Sequence, residues 1–112
     1  RLFAAVFLAF CVAFPGFAAD WHALDDTGIT EVLSGHRVRY AGASQIFYPS
    51  GRTLYDNGQP SWGNWRAEGS KYCSQWPPSD VWDCYRVERS DDGAAIRFLD
   101  AEGRPFVGTF VN

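Results

Sequence analysis

The residues able to do chemistry are few and scattered. His22 and His36 are the two histidines of the 112-residue chain, and Cys11, Cys73 and Cys84 are its three cysteines. Nucleophilic catalysis needs a nucleophile, a base and an orienting group held together. His36 opens a predicted strand, His22 precedes the first predicted helix, and no Ser sits in a nucleophile-elbow pattern. Asp56, Asp80, Asp91, Asp92, Asp100 and Glu102 fall at predicted turns, where carboxylates bond locally to the backbone. Glu68 with Asp83 is the one acid pair that could flank a scissile bond, and both would have to project into one cleft. The histidines show no ligand spacing to the thiols, so the pattern carries no metal site and no cofactor motif. The sequence points away from an enzyme.

The cysteines say more about compartment than about reaction. "RLFAAVFLAFCVAFPGFAAD" opens on Arg1, runs through apolar residues 2–14, breaks at Pro15-Gly16 and reaches small residues before Asp20. This is the pattern of a secretory signal peptide, residues 1–18, with cleavage expected after Ala18 and a single β domain over residues 19–112. The apolar run is short for a transmembrane helix, which takes about 20 apolar residues, so no stable membrane insertion is expected once the leader is removed. Cys11 could be read as a lipidated cysteine, but bulky Phe10 before it and apolar sequence after it argue against that. Cys73 and Cys84 then remain in a chain expected to be periplasmic or secreted, where a disulfide is the default. If "PPSD" at 77–80 is a four-residue hairpin loop, Gln75 faces Trp82 and Cys73 faces Cys84. Directly opposed residues lie about 4.5–5.5 Å apart, within reach of a disulfide. The net charge of −3 and the absence of a basic run leave no footprint for nucleic acid.

These residues have to be positioned by strands. Residues 20–34, "DWHALDDTGITEVLS", hold one predicted helix, with Asp26 or Thr27 as cap, Ile29, Val32 and Leu33 on one face, and Gly35 as its stop. After it come eight strand-like segments, "HRVRYAG", "SQIFYP", "RTLYD", "PSWGNWRAE", "SKYCSQW", "VWDCYRVER", "AAIRFLD" and "PFVGTFV". Turn sequences every eight to twelve residues leave no room for crossover helices. The expected fold is mainly β: an antiparallel up-and-down meander of about eight short strands, curled into a small lipocalin-like barrel, with one short N-terminal helix. Alternation directs inward Val38, Tyr40, Leu54, Gly63, Trp65, Ala67, Tyr72, Trp76, Val81, Tyr85, Val87, Ile96, Phe98, Phe106, Gly108 and Phe110.

Several of these segments also form recognisable motifs. A Gly follows the helix (Gly35), a Tyr-x-x-Gly-Arg turn spans 48–52, and a Gly-x-Trp-x-x-x-Gly strand and turn spans 63–69. Cys73, a Cys-Tyr-Arg-Val strand at 84–87 and a closing Gly-Thr-Phe at 108–110 complete the set. In these features the chain resembles the small exported proteobacterial proteins of the domain of unknown function 995 family, over most of residues 26–110. The resemblance implies export and a β-rich fold, and implies no reaction.

The alternation leaves Trp62 and Trp82 on the outer face, with Arg66, Lys71 and Arg86 beside the expected disulfide. Exposed tryptophan suits contact with a sugar ring or a protein. Trp62, Trp82, Arg66 and Arg86 are therefore the candidate contact surface of a non-catalytic interaction or accessory module, whose expected partner is a protein or glycan of the cell envelope. The alternative is a lipocalin-like carrier of a small apolar ligand. So many inward aromatics predict a filled interior and favour the module. A cavity above about 300 Å³ would mark the carrier instead.

Overall fold

A helix needs its first N–H groups satisfied, and Asp25 rather than Asp26 supplies the side-chain cap. The computed structural model describes residues 20–112, so the expected leader over 1–18 lies outside the described residues. Asp25, one residue before the expected cap, accepts a hydrogen bond from the Gly28 N–H at 2.9 Å and starts helix α1 (Asp26–Leu33). Asp26 is thereby free to reach out of the helix, and its carboxylate accepts from the Ser70 N–H at 2.7 Å. The helix ends at Ser34, before Gly35, as expected.

Nine strands follow the alternation: β1 (Trp21–Ala23), β2 (His36–Tyr40), β3 (Ala43–Phe47), β4 (Arg52–Asp56), β5 (Pro60–Glu68), β6 (Lys71–Gln75), β7 (Trp82–Ser90), β8 (Ala95–Leu99) and β9 (Pro105–Val111). Each of β2 to β9 pairs antiparallel with the next, and β9 returns to pair with β2, so eight strands close into a barrel. Closure leaves those strands without a free edge. The ninth, β1, was not legible in the sequence. It adds to β7 at 88–90, just past the point where β6 leaves off, and its Trp21 ring lies 4.5 Å beneath the Arg97 guanidinium.

The turns fall alternately at the two ends, and the ends differ. One end carries the 48–51 and 69–70 turns and receives α1. The 69–70 turn has both residues left-handed (Gly69 φ 64°, Ser70 φ 59°), the geometry that suits a two-residue hairpin, and the bond from Asp26 holds it. Ile29 and Leu33 are wholly buried there against a cluster that includes Phe47, Trp65 and Tyr72. Burying two such side chains stabilises the closed end by about 2 kcal/mol each. The Trp65 Nε1–H donates to the Tyr48 carbonyl at 2.9 Å, fixing the indole as part of that floor.

Most of the expected inward set is inward, with instructive exceptions. On β4 the buried residue is Thr53, not Leu54, because pairing with β3 puts Thr53 opposite Phe47 and Leu54 opposite Ile46 on the outer face. Val81 is 59% exposed because it precedes β7, in the loop after Trp76. Phe106 is 49% exposed because it sits where β9 begins, at the rim of the end that α1 does not reach.

Candidate functional site

The open end carries the turns at 41–42 and 57–59 and the loops at 76–81 and 100–104, and between them the barrel holds a cavity of about 900 Å³. The expected filling holds at the α1 end, where Phe47 meets Tyr72 and Phe98 at 5.7 and 6.5 Å, and stops short of the open end. There the inward aromatics stand around the wall. Tyr55 meets Trp76 edge to face at 6.2 Å, Tyr85 meets Phe106 likewise at 6.2 Å, and Tyr72 lies 5.1 Å from Phe98. Two inward glycines make room for this arrangement. A Cβ on Gly63 would fall 2.6 Å from the Trp76 ring, and one on Gly108 would collide with Val38 and press on the Tyr40 ring. Each ring approaches backbone that has no side chain in its way.

The floor of the cavity is polar and tightly bonded. Gln45, 5% exposed, accepts from the Tyr40 hydroxyl at 2.9 Å and donates to the Thr53 hydroxyl at 2.9 Å and to the Tyr72 oxygen at 3.0 Å. Thr53 passes its own proton to the Ile46 carbonyl at 2.8 Å, and the Trp76 Nε1–H donates to Ser74 at 3.2 Å. No buried side-chain N or O among the described residues lacks a partner. The sequence reading passed over Gln45 and Thr53. The signal was present in "SQIF", where Gln45 occupies the same alternating column as buried Phe47. A polar residue in an apolar column is a pointer to a site or a network.

Burial governs the phenols of the wall. It pushes Tyr72 up to about 12, against hydrogen bonds to Ser74 and Gln45 that favour the phenolate. Tyr40 rises further, through burial first and then its phenol neighbours Tyr72 and Tyr55. Tyr85, nearer the rim, is raised by burial and then by the negative charges of Asp83 and Asp100. These hydroxyls stay neutral at physiological pH and act as hydrogen-bonding groups, not as bases.

The residues singled out from the sequence lie mostly on the outer wall, though Trp62 also borders the mouth of the cavity. Cys73 and Cys84 are bonded, directly opposed on β6 and β7 with Cα atoms 4.0 Å apart. Arg66 stands opposite Cys73 on β5, and its guanidinium stacks 4.0 Å over the Trp82 ring from across β6 while its Nε reaches Glu68 at 2.9 Å. Arg86 is exposed and opposite Lys71. Trp62 is 48% exposed, stacked on Tyr48 at 5.8 Å with the Arg52 guanidinium 4.8 Å from its ring. Trp62 and Trp82 are two strands apart on the same outer face, each under its own arginine. Asp83 and Glu68 do not meet. Glu68 is opposite Lys71 and Asp83 opposite Ser74, positions three apart on β6 and so on opposite faces of the sheet. His22 bonds Asp91 at 2.9 Å on the exposed surface, and His36 packs edge-on to Phe110.

Comparison of the chain with protein-family models, with curated proteins and with solved structures finds no match. The functional reading rests on the cavity's own geometry.

Proposed function

We propose that this chain is a non-catalytic binding protein that takes a small, mostly apolar ligand into the barrel through its open end. The observation that carries this reading is a cavity of about 900 Å³ in a barrel whose other end is stoppered by α1. That is three times the size set as the mark of a carrier, and it lies within the range of small-molecule sites, roughly 300–1,000 Å³. Its walls are aromatic, its few polar groups are held in fixed positions, and a binding site gains from both. At about 0.3 kcal/mol per heavy atom, a ligand of about 20 atoms would bind with about −6 kcal/mol, a Kd in the tens of micromolar.

Export belongs to the same proposal. The Cys73–Cys84 bond is of the kind that persists in oxidising compartments, and no helix among the described residues is long and apolar enough to cross a membrane. The interaction-module reading keeps one supporting observation, the half-exposed Trp62 beside Tyr48 and Arg52. Native mass spectrometry of the protein recovered from the export compartment separates the two. A chain beginning at Ala19 that carries a small molecule supports the carrier. The same chain bound to a second polypeptide, with an empty barrel that also refuses added ligands, would replace the carrier by the module.

A further inference from the structure

The lining of the cavity is chemically lopsided. Its aromatic and polar residues include Tyr40, Gln45, Tyr72, Ser74, Trp76 and Tyr85, and no Asp, Glu, Lys, Arg or His is among the residues that line it. A carboxylate or sulfonate brought inside would lose its water and gain no cation, a cost no aromatic wall offsets. At the rim Asp83 and Asp100 act on the Tyr85 phenol, and Asp100 is paired with Arg104 at 2.9 Å, so the rim carries charge of both signs and it is the neutral lining that selects against an anion. A cation brought inside would likewise lose its water, and no carboxylate lines the cavity to pair with it.

Counting protons on the floor defines the polar end of the ligand. Gln45 has both amide hydrogens committed, to Thr53 and Tyr72, and Tyr40 and Thr53 have given theirs to Gln45 and the Ile46 carbonyl. Tyr72 and Ser74 hold two hydroxyl protons between them. The Tyr72 oxygen accepts from Gln45 and the Ser74 oxygen accepts from the Trp76 N–H, and neither hydroxyl donates to a protein acceptor among the described residues. The O–H groups of Tyr72 and Ser74 are left for whatever enters. The rings that line the cavity meet one another tilted or edge to face, and such rings favour a guest that is itself flat and aromatic, since offset and edge-to-face packing both require one.

Resting on the proposed carrier role, we infer that the ligand is an uncharged, flat, conjugated molecule that sets a hydrogen-bond acceptor, such as a carbonyl oxygen, on the Tyr72–Ser74 pair. The test is a fluorescence titration of the intact, oxidised protein with two probes of the same ring skeleton, neutral N-phenyl-1-naphthylamine and its anionic relative 8-anilino-1-naphthalenesulfonate. The neutral probe binds at least tenfold more tightly. A third probe, the neutral ketone 6-propionyl-2-dimethylaminonaphthalene, reports on the floor. Tyr72→Phe or Ser74→Ala weakens the ketone about tenfold and leaves N-phenyl-1-naphthylamine, which has no carbonyl, unchanged, so its retention also shows the variants to be folded. Equal binding of the sulfonate, or a ketone affinity indifferent to both substitutions, overturns the inference and leaves the carrier role standing. Failure of every probe to bind overturns the carrier role as well.

Discussion

Gly63 tests whether the cavity wall is built as described. It lies inside β5 with an ordinary extended backbone, so conformational entropy alone would make Gly63→Ala stabilising by about 0.4–1 kcal/mol. The Trp76 ring reverses the sign. An added Cβ would lie 2.6 and 2.8 Å from two ring carbons and 2.8 Å from the Gln75 carbonyl oxygen, where ordinary contact begins near 3.4 Å. The indole must move by most of an ångström, which strains its 3.2 Å bond to Ser74. Overpacking of this kind costs about 1–3 kcal/mol and a weakened hydrogen bond about 1 kcal/mol. Against the entropic gain the net expectation is a loss of about 2 kcal/mol, or roughly 8–16 °C in Tm for a domain of this size. Urea unfolding of the oxidised protein, followed by tryptophan fluorescence, measures it. The same substitution in a Trp76→Ala background should lose at least half its cost, the remainder being the contact with the Gln75 carbonyl. A Gly63→Ala variant as stable as the parent, or one whose cost is untouched by removing Trp76, would refute the placement of the ring over the strand.

The other expectations concern the staple, the phenols and the stopper. Reducing Cys73–Cys84, which closes a loop with a sequence separation of 11, should lower stability by about 3 kcal/mol, read as a fall in Tm on adding dithiothreitol. Because Tyr72 and Tyr40 are raised in the folded state and titrate near 10 unfolded, their contribution to stability should be constant below about pH 10 and fall as pH rises from there towards about 12, by up to about 1.4 kcal/mol per pH unit for each phenol. Absorbance at 295 nm should show these two phenols ionising together with unfolding and after the exposed ones. Asp25→Ala should cost about 1 kcal/mol by removing the helix cap, while Asp26→Asn should loosen the 69–70 turn without unwinding α1, seen as faster amide exchange at Ser70.

Much of this protein was written locally. Turn residues spaced at eight to twelve positions and period-two alternation determined the eight barrel strands, because each signal is carried within a few residues of where it acts. The Cys73–Cys84 pairing was legible for the same reason: a four-residue loop sets the register of the hairpin, and the register opposes the two thiols. The glycines at 63 and 108 could be assigned to the inner face, but not the rings that lie on them, which come from the ends of other strands.

What tertiary structure alone decided was the balance between filling and emptiness. Whether inward aromatics cross a barrel or line it depends on where each ring lies relative to residues distant in the chain, and no local pattern records that. The same holds for Gln45 and Thr53, whose burial is tolerable only because Tyr40 and Tyr72 arrive from other strands to satisfy them. It holds too for β1, which has no strand-like sequence and exists because β7 runs on past β6 and leaves an edge to be covered. Local sequence drew the barrel, and closing it with a helix at one end left a neutral, aromatic chamber at the other.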